Sequence, residues 1–202
     1  PQTHAMWHRV APTLAKHFTV VMMDLRGYGD SGRPASDAEH LPYSKREMAK
    51  DALAVMLHHG FTRFQVLAHD RGARVAHRLA ADAPDAVARL LVLDIAPTLG
   101  MYEGTSQAFA KAYWHWFFLI QPQPLPEALI ESDPVRYLRQ VMGKRHAGLK
   151  AFAPEAIAEY DEAIGRVAAE YKLDCYPHLL EVISAEQMMD AYASIGMPVY
   201  YH

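Results

Sequence analysis

Three apolar runs of strand length, separated by helical patterns and polar turns, constrain this chain more than any other feature. Residues 18–25 (FTVVMMDL), 64–69 (FQVLAH) and 89–95 (RLLVLDI) are nearly continuous in apolar side chains rather than alternating. An alternating strand faces water on one side, whereas a continuously apolar one is buried on both. Ser44-x-x-Glu47 has the form of a capping box, and an amphipathic helix is expected from there to Gly60. A second helix is expected over 72–83, stopping before Pro84. Strand, helix, strand, helix, strand with doubly buried strands predicts an α/β fold built on a parallel sheet covered on both faces. Ahead of it, Met6, Val10, Leu14 and Ala15 predict a helix over 5–17, and the Gly-, Pro-, Asp- and Ser-rich residues 26–43 read as loop.

The pattern changes near Thr98. From there to about 185 no strand is expected, and helices are predicted over 106–120, 134–143, 154–171 and 177–184, with QPQPLP (121–126) as a stiff connector. Residues 197–201 (MPVYY) read as a return to strand. The expected organisation is therefore a core over 1–98, a helical cap over 99–185, and a return to the core over 186–202. The chain has no initiator Met and ends inside an expected strand, so a fragment with a core incomplete at both ends is expected.

Composition narrows the function classes. A net charge of -3 offers no basic excess for nucleic acid or an anionic membrane. A single cysteine, Cys175, excludes a disulfide scaffold and a paired-cysteine zinc site. No apolar run is long enough for a membrane helix, and a cytoplasmic protein is expected. His4 and His8 have the spacing of a metal pair, but the sequence offers no third ligand, so neither metal nor cofactor is expected.

Gly27-Tyr28-Gly29-Asp30-Ser31-Gly32 fits the G-x-G-x-x-G pattern. A dinucleotide site needs a helix starting inside that motif, and Arg33-Pro34 and a polar loop follow instead, so tight turns explain these glycines better. In this stretch Asp24 and Arg26 have a structural role, shaping a wall of the site. The informative segment is Leu67-Ala68-His69-Asp70-Arg71-Gly72-Ala73-Arg74. It places Asp70 on a sharp strand-to-helix turn at the carboxyl edge of the sheet, the geometry of a nucleophile elbow. Two readings of Asp70 stand here, a nucleophile and a helix N-cap. A carboxylate nucleophile attacks an electrophilic sp3 carbon to form an alkyl ester, so alkyl halides and epoxides are the fitting substrates. Arg71 and Arg74 share a helix face beside it. They either hold a substrate carboxylate, or merely neutralise Asp70 or solvate the helix end. Asp94 ends the third strand on the same edge, as the acid partner of a catalytic histidine or as a turn residue. Tyr113-Trp114-His115-Trp116-Phe117-Phe118 is either cap core or, through the N–H donors of His115 and Trp116, a halide-binding element.

Together, DLRGYGDSGRP, LAHDRGAR, LLVLDIAPT and YWHWFFLIQPQPLPE resemble the fluoroacetate (haloacetate) dehalogenases of the α/β-hydrolase superfamily. The resemblance implies an α/β-hydrolase fold with a helical cap. It makes Asp70 the nucleophile, Asp94 the acid partner of the base, and Arg71 and Arg74 the carboxylate ligands. It makes His115, Trp116 and a cap tyrosine, best matched by Tyr171, the halide ligands. The family's catalytic histidine follows its final strand and is expected outside this chain, so the chain alone is expected to be inactive. The expected partners are a small haloacid and water, and a homodimer is compatible. An epoxide hydrolase, or a non-catalytic piece of the same fold, are the alternatives. A neutral epoxide has no use for Arg71 and Arg74.

Overall fold

The computed structural model describes residues 2–37, 40–95, 98–143 and 147–170. Tyr171, Cys175, the helix expected over 177–184 and the return to the sheet expected over 186–202 lie outside the described residues. In chain order the helices are α1 (Ala11–Leu14), α2 (Lys45–His58), α3 (Asp70–Asp82), α4 (Thr98–Glu103), α5 (Gln107–Ala112), α6 (Trp114–Leu119), α7 (Leu125–Ser132), α8 (Pro134–Gly143) and α9 (Pro154–Glu170). The strands are β1 (Phe64–His69) and β2 (Val87–Leu93). The chain forms two compact units, one within residues 1–38 and 115–177 and the other including residues 39–114.

In the second unit β1 and β2 pair in parallel, with His69 opposite Leu93 at their carboxyl ends. Helix α3 follows β1 with no intervening turn and packs on both strands and on α2. Its buried face is built largely of small residues, Ala73, Ala76 and Ala80, beside Val75 and Leu79. Alanines let the helix axis approach the sheet closely. Helix α2 starts where the capping box predicts, the Glu47 backbone N–H donating to Ser44 Oγ at 3.3 Å.

In the first unit α8 packs against α9. Leu138 of α8 meets Ala156, Tyr160 and Ile164 of α9, and Ala5 and Met6 of the N-terminal segment pack on the same cluster.

Several sequence expectations are corrected. Residues 18–25 form no strand, because a strand exists only as a member of a hydrogen-bonded ladder and no described residues pair with them. The helix expected over 5–17 is instead a 3-10 turn, His4–Trp7, followed by α1. Pro12 sits in the first turn of α1, where its missing N–H is harmless, but it cannot continue a helix from upstream. The helix expected over 106–120 breaks at Tyr113 into α5 and α6. Helix α7 begins inside the expected connector, with Pro126 in its first turn. Strand β2 ends at Leu93, so Asp94 stands just beyond it.

Candidate active site

The elbow is built by backbone geometry first. Asp70 has φ of 49° and Asp94 has φ of 52°, both in the left-handed region that non-glycine residues rarely occupy. Strain of this kind persists where the surroundings over-determine it, and it clusters at functional sites. The parallel register that pairs His69 with Leu93 brings Asp70 and Asp94 to the same edge, each one residue past its strand. Two adjacent strands thus end in the same way, in an aspartate with an inverted backbone.

Asp70 is the first residue of α3, and His69 occupies the N-cap position without a side-chain cap bond. The Asp70 carboxylate accepts the backbone N–H of Arg71 through Oδ1 at 2.7 Å. An N-cap carboxylate reaches two or three residues ahead, not one, so this is not the capping arrangement. The residue reaches the surface at the elbow, while its carboxyl group is surrounded by protein atoms. Burial of the carboxyl by its protein surroundings works against the charged form. The Arg71 N–H and the charges of Arg74 and His69 act in the opposite sense and favour the carboxylate. One oxygen of the Asp70 carboxyl is thus anchored.

Arg74, one helical turn on, is buried, and its Nη1 donates to Thr98 Oγ1 at 2.7 Å. Burial pushes its pKa down to about 10, and the negative charge of Asp70 counters that. Arg74 also faces Tyr102, whose phenol is pushed up by burial and drawn back by the guanidinium charge. Thr98 and Tyr102 were not identified from the sequence. Further along α3, His77 is buried, and burial and Arg74 push its pKa down to about 4.

The structure brings Asp70, Arg71 and Arg74 together on α3 and puts Asp94 on the same sheet edge. His115 and Trp116 are adjacent in α6 and fall in the other unit. Trp116 is buried, sharing a helix face with buried Leu119, and His115 is half-buried. Tyr171 lies outside the described residues.

The remaining loop motif has a structural solution. Asp24 is buried and accepts the backbone N–H of His4 at 2.6 Å and of Asp30 at 3.2 Å. Gly27 and Gly29 have φ of 84° and 50°, the tight turns expected of them.

A family model described as the alpha/beta hydrolase fold matches residues 1–201. A fluoroacetate dehalogenase of Burkholderia sp. is 48% identical over 161 residues, 79% of this chain and 53% of that protein. A soluble epoxide hydrolase of Corynebacterium sp. (strain C12) is 37% identical over 164 residues, 79% of this chain and 55% of that protein. The crystal structure of ALR0039 from Nostoc sp. PCC 7120 superimposes with a TM-score of 0.86 at 48% identity, covering all of this chain and 69% of the other. Over 42 residues, 21% of the chain, it is 62% identical to the uncharacterised protein YcgB of Escherichia coli (strain K12), of which that match covers 8%. The chain spans about half the length of each of these two curated relatives, the dehalogenase and the soluble epoxide hydrolase.

Proposed function

Because the chain belongs to the alpha/beta hydrolase fold family, we propose that it carries the nucleophile elbow and carboxylate site of a hydrolytic haloacetate dehalogenase. The observation that carries this reading is the strained Asp70 elbow with Arg71 and Arg74 on the same helix start. In the proposed reaction the substrate carboxylate lies against the arginines, which presents its halogen-bearing carbon to Asp70. Asp70 Oδ2 attacks that carbon in line, the carbon–halogen bond breaks, and halide leaves with the bonding pair. His115 and Trp116 donate to the departing halide, as does Tyr171 in this reading. Water then attacks the carbonyl carbon of the Asp70 ester, activated by a histidine that Asp94 orients, and the hydroxyacid departs. Asp70 Oδ1 already accepts the Arg71 N–H, and that amide would stabilise the oxyanion of this second step.

A second reading, an epoxide hydrolase, has the support of the 37% identical relative. It uses the same ester chemistry, but the paired arginines favour an anionic substrate over a neutral epoxide.

The test is direct. Incubation with bromoacetate should place a carboxymethyl group on Asp70, seen by peptide mass spectrometry, and Asp70→Asn should abolish it. An ester that accumulates would also show that base-assisted hydrolysis is slow in this chain. Single-turnover hydrolysis in oxygen-18 water that labels only the hydroxyacid, and not the Asp70 carboxylate, would mean that water attacks the substrate directly. Modification by an epoxide but not by bromoacetate would favour the second reading.

A further inference from the structure

The Arg74 side chain is long and its planar fork has to face the right way before it can receive a carboxylate bidentately. The group that fixes it is visible in the fold. Thr98 is the first residue of α4 and lies 24 residues from Arg74 in sequence, yet its Oγ1 accepts the Arg74 Nη1–H at 2.7 Å. Both residues are over nine-tenths buried, Arg74 at 7% and Thr98 at 8% exposure. A buried hydrogen bond between a charged donor and a neutral acceptor is among the stronger ones, and it is shielded from competing water.

We propose that Thr98 is a positioning residue that orients the Arg74 guanidinium for a substrate carboxylate. This rests on the haloacetate reading above and adds to it the group that sets the charge-reading geometry. The choice of a hydroxyl is the informative part. An aspartate at this position would hold the guanidinium equally well but cancel the charge the substrate needs. A threonine holds it and leaves the charge in place. Tyr102, four residues on along α4, is near enough to the same guanidinium to act on it electrostatically. Helix α4 thus serves as a neutral support for Arg74, and Thr98 is placed to do this because it follows β2 at the sheet edge where Asp70 stands.

The experiment measures the rate of Asp70 alkylation against reagent concentration for bromoacetate and for its uncharged analogue bromoacetamide. Thr98→Val keeps the shape and removes the acceptor. It should raise the half-saturating bromoacetate concentration roughly tenfold, the loss of about one charged hydrogen bond, with the limiting rate nearly unchanged. The bromoacetamide reaction should not move, and Thr98→Ser should restore bromoacetate saturation to within about twofold of the parent. Thr98→Ala gives the same comparison if Thr98→Val does not fold. An unchanged bromoacetate curve in a folded variant, or equal losses on both reagents, would overturn the assignment. If the parent chain shows no Asp70 alkylation at all, the dehalogenase reading fails and this inference fails with it. Alkylation that is normal in the parent and insensitive at Thr98 defeats only the inference.

Discussion

The loop after Asp24 and the elbow after His69 solve the same backbone problem with different residues. Both turn the chain through the left-handed region, at Gly27 and Gly29 in the loop and at Asp70 and Asp94 on the sheet edge. In the loop the inverted positions are glycines, which adopt that backbone freely. At the sheet edge they are aspartates, which occupy it at a cost of about 1–2 kcal/mol each. The electrostatics differ as well. Asp24 is buried but accepts two backbone N–H groups, and Ser31 Oγ donates to its carbonyl oxygen at 2.5 Å. Helix α3 carries Arg74 and His77 inside the protein with their protonated forms disfavoured. The loop is relaxed for stability, and the elbow tolerates strain and desolvated charge where the proposed chemistry needs a carboxylate.

The strongest way to break that contrast is to make the loop resemble the elbow. A Cβ on Gly29 would lie 2.0 Å from Asp24 Oδ2, and the residue has φ of 50°. Gly29→Ala therefore adds backbone strain to a steric overlap with a carboxylate that two N–H bonds hold in place. The expected loss is about 3 kcal/mol or more in unfolding free energy by urea titration. A near-neutral result would show that Asp24 is free to move and that the loop is not the tightly determined element described here.

The desolvated groups on α3 predict a pH response. His77 is pushed from about 6.5 to about 4 in the folded state, so the unfolded chain binds more protons across that interval. Stability should fall as pH drops from about 6.5 toward about 4, with up to about 3 kcal/mol at stake. Urea titrations across that range should show the slope, and His77→Asn should flatten it. An unchanged slope in His77→Asn would place the acid sensitivity elsewhere.

What the sequence revealed follows from which forces are local. The apolar strand runs, the capping box and the elbow are written in runs of neighbouring residues, and β1, β2, α2 and α3 are seen there. The expected burial on both faces is not seen, since Gln65, Arg89 and Leu91 are exposed among the described residues. Residues 18–25 carry an equally apolar run, but pairing is a property of two segments, and none of the described residues completes the ladder. Pro12 was a local signal against a continuous helix over 5–17, and the periodicity of the apolar residues masked it. Thr98 was invisible as a ligand of Arg74 because nothing in a string of residues says that positions 74 and 98 meet. The aspartates at 70 and 94 were legible as strand ends, whereas their inverted backbones were not.

The finest test separates strain from charge at the elbow. Asp70 is the first residue of a helix, where alanine ordinarily stabilises relative to glycine. Its φ of 49° reverses that expectation, because glycine meets no Cβ penalty there and alanine does. Neither Asp70→Ala nor Asp70→Gly keeps the carboxylate, so the lost attraction to Arg74 and the lost Arg71 N–H bond are common to both and cancel in the comparison. Asp70→Gly should then be more stable than Asp70→Ala by about 1 kcal/mol, measured by urea titration at a single pH. Alanine equal to or better than glycine would mean that the elbow relaxes to an ordinary helical start once its side chain is gone. The inverted backbone would then be maintained by the carboxylate's own contacts rather than imposed by the fold.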